Sequence, residues 1–239
     1  MKKTQYLVFL TLAALATGSA ASAQTRGIGL TALGDYSYTT TYGSSAGLDL
    51  LAGIPVGSQF EFEPALQFTT ARVHTAAIQA RTLFPLEKSS LFLKNRIVFK
   101  DVARSRAYDA CLGLSLGWES TYIELEAGMF GRVMDRFGRD KHSLDAALCE
   151  PFNLLYGIKG RLRAADSPWN VWASISNADT FQLERMWQPI ISTGGWFEPS
   201  ARLRLLLDVI CKPSGMFHLN AGLYGITARL GVRYKFIKK

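Results

Sequence analysis

Between Ile226 and Phe236 the chain alternates strictly. Ala228, Leu230, Val232, Tyr234 and Phe236 fall on one parity, and Thr227, Arg229, Gly231, Arg233 and Lys235 on the other. A two-residue period makes a β-strand, here with one apolar face and one basic face. A soluble sandwich would bury the apolar face in a core. A membrane barrel would turn it to lipid and wrap the charged face around a lumen.

The N-terminus bears on that choice. Lys2 and Lys3, the apolar run Tyr6 to Leu15 and the small-residue site Ala21-Ser22-Ala23 read as a secretory signal peptide over 1–23. The apolar run is too short for a bilayer span. No Cys follows the cleavage site, so the signal is not that of a lipoprotein. The remainder, 24–239, reads as one domain. Its hydrophobic residues (48% of the chain) are spread in alternation rather than gathered in spanning blocks. An exported chain of alternating strands fits the closed barrel, which satisfies its backbone groups without water.

Twelve strands are predicted, at 28–39, 47–54, 60–70, 76–84, 91–101, 106–118, 122–134, 151–164, 169–178, 189–197, 201–211 and 223–236. Connections rich in Pro, Gly or Ser, such as 55–59 and 198–200, alternate with a second set that is mostly longer. Short turns on one side and long loops on the other is barrel architecture, and an even strand count leaves both termini in the periplasm. Aromatic residues form two expected belts. Phe60, Phe84, Trp118, Tyr122, Trp169, Phe197, Tyr234 and Phe236 lie by the short turns. Tyr36, Tyr38, Tyr108, Phe130, Phe152, Tyr156 and Tyr224 lie toward the long loops.

Signal peptide, alternation and closing strand together resemble the Gram-negative outer-membrane β-barrel proteins, small porin-like members included, over essentially all of 24–239. The resemblance implies an all-β, up-and-down barrel in the outer membrane. It also implies contact with outer-membrane lipid and delivery by the barrel-assembly machinery, while Arg136, Arg139 and Lys141 of the longest connection could contact lipopolysaccharide phosphates. Tyr234 and Phe236 occupy the places of that machinery's terminal signal, although the chain continues through Ile237-Lys238-Lys239.

The lumen carries the functional reading. Arg81, Lys94, Arg96, Lys100, Arg132, Lys159, Arg161, Arg163, Arg202, Arg204, Arg229, Arg233 and Lys235 are expected to face inward. Fewer acids share that face: Asp35, Asp49, Glu61, Glu63, Glu124, Glu126 and Asp208. Such a lining favours a small channel for anionic solutes. Equally, Glu124 and Glu126 beside Lys159, Arg161 and Arg163 could cross-brace a closed interior. That alternative is a structural barrel that binds through its outer loops. Asp135 onward, the longest connection, could constrict the mouth.

An enzyme reading finds no support in a motif. His74, His142 and His218 fall in loops, and His142 with Ser143, Asp140 and Asp145 forms no recognisable constellation. Cys111, Cys149 and Cys211 have no metal-site spacing. No cofactor is expected. The basic residues are dispersed over many strands rather than gathered in one patch, which argues against a nucleic-acid partner.

Overall fold

The computed structural model describes residues 27–40, 43–103, 106–136, 148–163, 167–214 and 222–236. The expected signal peptide lies outside these residues. So do Arg139, Asp140, Lys141, His142, Ser143, Asp145 and His218, and with them the expected constriction by the loop after Asp135, apart from its first two residues.

Fourteen strands form among the described residues. They are β1 (Ile28–Thr39), β2 (Gly43–Val56), β3 (Phe60–Thr69), β4 (Val73–Pro85), β5 (Ser89–Val102), β6 (Ala107–Ser120) and β7 (Ile123–Arg136). They continue as β8 (Leu148–Arg161), β9 (Trp169–Ser176), β10 (Ala178–Asp179), β11 (Gln182–Leu183), β12 (Ile190–Ser200), β13 (Leu203–Ser214) and β14 (Gly222–Phe236). Twelve of them close a barrel, each antiparallel to its neighbours, while β10 and β11 pair only with each other. Closure runs along β1 and β14, from Ile28 opposite Phe236 to Thr39 opposite Gly225. The basic face that marked the last strand thus becomes inner wall on the β14 side of the seam, opposite Gly29, Thr31, Leu33 and Asp35 of β1.

Local chemistry sets the details. Between β2 and β3 the chain reverses in three residues, and Gly57 takes the left-handed φ of 68° that this turn requires. Registers shift between Phe130 and Arg132, between Phe197 and Ser200, and between Lys212 and Pro213. The last shift falls at a proline, which has no N–H to give the ladder. Outside, Leu30, Leu48, Leu112, Leu116, Met129, Ile158, Leu207 and Leu230 stand exposed around the whole circumference. Phe60, Phe84, Tyr122, Phe197 and Phe236 bound that band at the short-turn end, and Tyr36, Tyr38, Phe152 and Tyr224 at the other. A water-soluble fold does not leave such a continuous apolar surface uncovered.

Phe130 does not belong to the belt. It shares the parity of Glu124 and Glu126, points inward, and is 2% exposed. It joins Ala65, Ala77, Val98, Cys111 and Leu155 in an apolar patch on the inner wall from β3 to β8. Phe181 and Leu183 cover that patch. They come from the segment after β9, where the ninth strand ends earlier than expected and the chain turns into the lumen instead of continuing the wall.

Candidate functional site

The lumen is built in three parts. Below the inserted segment, toward the short turns, β4 to β8 carry an ion-pair lattice. Glu126 accepts hydrogen bonds from both terminal nitrogens of Arg96, from Lys94 Nζ at 3.1 Å and from Ser115. Glu124 accepts from Arg161 Nη2 at 2.7 Å and faces Lys94 at 3.7 Å and Arg81 at 4.0 Å. Arg81 also donates to Glu119 at 2.9 Å. Phe92, fully buried, lies under Arg81, its ring centroid 4.2 Å from the guanidinium carbon. Gly117 leaves the space for that ring, because a side chain there would overlap it. Arg161–Glu124 and Ser115–Glu126 join neighbouring strands, and the other bonds link strands two or three apart, so they brace the curvature of the wall as well as neutralise charge.

The β12 to β14 side is less balanced. Arg204 Nε and Lys235 Nζ both donate to Glu198 Oε1, at 2.6 and 2.7 Å. Arg233 lies across Gly29 and Gly53, whose missing side chains make its room. On the adjoining β8, Lys159 Nζ sits 4.2 Å from the ring centroid of Trp172 on β9. Among the described residues, neither Arg233 nor Lys159 forms an ion pair. On nearby β3, Glu63 accepts from Gln79 at 3.1 Å, and Glu61 stands near Arg233 over the same Gly53.

At mid-height Arg229 is the hub. It meets Asp49 at 3.0 Å and Asp179 at 3.0 Å, and it stands directly opposite Asp35 on β1 and Asp208 on β13. Asp179 comes from the inserted segment. Burial alone would raise its carboxyl, but the Arg229 charge and hydrogen bond outweigh that and hold it below the ordinary carboxylate value.

The segment itself is a miniature hairpin. Its base is closed by Glu184 N–H donating to Asn177 O at 2.7 Å. The Asn177 side chain ties that base to β8, donating to Leu154 O at 2.7 Å and accepting from Tyr156 N–H at 2.8 Å. Phe181 and Leu183 press on the apolar patch, while Asp179 reaches Arg229 and Gln182 accepts from Lys212 on the facing wall. The chain then returns to the rim beside a cavity of about 250 Å³ lined in part by Arg132, Glu184, Arg185, Lys212 and Tyr224. Of these, Arg132 is held by Asp109, bonding both carboxylate oxygens, and Arg185 by Glu150.

Two expected lumen residues lie elsewhere. Arg163 follows the end of β8 and stacks 3.7 Å over the Trp169 ring, and Arg202 is exposed in the turn before β13. Alternation holds only as far as the strand does, and both residues sit beyond a strand end. Acids missing from the sequence-based lumen are Asp109, Glu119, Glu150, Asp179, Glu184 and Glu198. Asp109 and Glu198 had the parity to be found, whereas Asp179 and Glu184 required knowing where the hairpin goes. With these acids the lumen is far less basic than the sequence count. His74 packs its ring 5.8 Å from Phe68, and all three cysteines are free thiols. Tyr234 and Phe236 meet edge to face at 4.9 Å on the outer surface of β14.

A closed twelve-stranded antiparallel barrel with an apolar exterior, aromatic rims and a charged interior has the architecture of a transmembrane β-barrel. Solved structures share this architecture. The KdgM porin in complex with disordered oligogalacturonate superposes with a TM-score of 0.54 at 8% identity, over 87% of this chain and 99% of that one. The NanC porin does so with a TM-score of 0.54 at 8% identity, over 87% and 100%. At such identity the likeness is one of fold. No protein-family model matches the chain, and no curated protein matches it in sequence.

Proposed function

We propose that this barrel is a narrow outer-membrane channel for small charged solutes, with a preference for anions set in the short-turn half of the lumen. The observation that carries this reading is the residual positive charge there. Arg204 and Lys235 share one acid, and Arg233 and Lys159 have no ion-pair partner among the described residues. Confined between low-dielectric walls, such excess charge raises the local anion concentration. The fold is one that solved porins use, and one of those was solved with oligogalacturonate. Export through residues 1–23, assembly through Tyr234 and Phe236, and contact with lipopolysaccharide belong to the same proposal.

Reversal potential across a salt gradient in planar bilayers tests it. Arg233→Glu should shift the potential toward cation preference, and Arg202→Glu, in an exposed turn, should not. Equal shifts from both variants would remove the lumen as the source of selectivity. A closed barrel that binds through its outer loops is the second reading, favoured by the cross-braced wall and the inserted hairpin. Complete absence of channel events in pure folded protein selects it.

A further inference from the structure

We infer that the hairpin from Asn177 to Glu184 is a displaceable gate across the lumen, latched shut by the Asp179–Arg229 ion pair. The inference rests on reading the barrel as a channel.

The hairpin spans the passage by holding unlike surfaces. Its apolar side, Phe181 and Leu183, covers the only part of the inner wall where the described residues form an apolar cluster. Its polar side reaches the opposite wall through Asp179 and Gln182. Nothing in its own hydrogen bonding depends on that second wall. β10 pairs with β11, and the base is closed by Glu184 on Asn177 and anchored to β8. It can therefore swing about its base as a unit, with its internal bonds intact.

The latch differs from the bracing pairs lower down. When Glu126 is lost, buried Arg96 keeps only the neutral partners Gln79 and Ser115. When Asp179 leaves, Arg229 still has Asp49 at 3.0 Å, with Asp35 and Asp208 opposite on its two neighbouring strands. Those three carboxylates stay on the wall and compensate the guanidinium in the open state. Release therefore carries a small electrostatic penalty, because the hub has more acids than it needs. Closure is favoured by returning Phe181 and Leu183 to their patch. A structural ion pair needs no spare partners; a reversible one does.

Single-channel recording in planar bilayers tests the gate, using the full chain and two variants. In one, Ala178 to Leu183 is replaced by Gly-Gly, which the Glu184-to-Asn177 hydrogen bond shows can close the gap. The other is Asp179→Asn. Heat-shifted gel migration confirms folding of each. The wild type should show a mostly closed record with brief openings, and the deletion a persistently open one of larger conductance. Asp179→Asn should keep the wild-type conductance and raise the open fraction roughly tenfold, the scale of one charge-assisted hydrogen bond. A conducting wild type whose record Asp179→Asn leaves unchanged overturns the gate while the channel stands, and it does so even if the deletion misfolds. A folded deletion variant that never conducts overturns the channel reading and the gate with it.

Discussion

Glu126→Gln is the sharpest probe of what holds the wall together. The Glu126 side chain is 9% exposed, and its partners Arg96 and Lys94 are 7% and 11% exposed. The carboxylate serves four donor atoms, two from Arg96 and one each from Lys94 and Ser115. An amide keeps one acceptor oxygen and turns its own N–H groups on the remaining donors, leaving two buried cations with Glu124, 3.7 Å from Lys94, as their nearest acid. Removing one partner of a buried ion pair costs about 3–5 kcal/mol. The surviving acid and the polar lumen place this case at the lower end, about 3 kcal/mol, more than a hundredfold in the folded-to-unfolded ratio. Urea unfolding of protein refolded into lipid vesicles, followed by tryptophan fluorescence and gel migration, measures it. Glu119→Gln is the internal control. Its partner Arg81 and Glu119 are each about one-fifth exposed, and Arg81 keeps Glu124 at 4.0 Å, so about 1 kcal/mol or less is expected. Adding Lys94→Met to Glu126→Gln should recover part of the loss, because the cation that lacked a partner goes too. Equal costs for the two glutamates would refute the reasoning, since they would mean that water screens both sites alike.

Other outcomes follow from packing and exposure. Gly117→Ala places a methyl group into the Phe92 ring and the Leu125 carbonyl, and should destabilise the same preparation by about 1–3 kcal/mol. Cys149 is exposed at the long-loop rim whereas Cys111 is buried against the apolar patch, so a membrane-impermeant maleimide should label the first and spare the second until unfolding. Labelling of Cys111 in folded protein would mean that the hairpin does not cover its patch. Phe236→Ala, at the exposed end of β14, should lower the amount of protein reaching the outer membrane while leaving refolding in detergent intact; unchanged membrane levels would remove Phe236 as an assembly signal.

The wall was legible in the sequence because a two-residue period needs no tertiary information. Each strand must put one face to lipid, and a slip of one residue would exchange every side chain with the other face. All twelve wall strands lie where alternation places them, differing by a few residues at their ends. The hairpin was not legible in that way. Ala178 to Leu183 is too short to show a period, and its two strands of two residues read as an ordinary loop. Its signal lay on the wall it covers. Ala65, Ala77, Val98, Cys111, Phe130 and Leu155 share the inward parity of the charged residues, yet they are small or apolar on six successive strands. An apolar patch inside a polar lumen must be covered by something, since leaving it to water forgoes the burial that drives folding. Weighing the apolar inward positions together with the charged ones would have placed Phe130 inside rather than in a belt. It would also have required a covering segment, for which the connection carrying Phe181 and Leu183 is a natural source. The charge count erred in part for the same reason, since Asp179 and Glu184 enter the lumen with the hairpin, and in part because wall acids such as Asp109 were not counted. The inferred gate therefore stands where a short loop meets the wall, and that contact is set by the cavity the strands enclose.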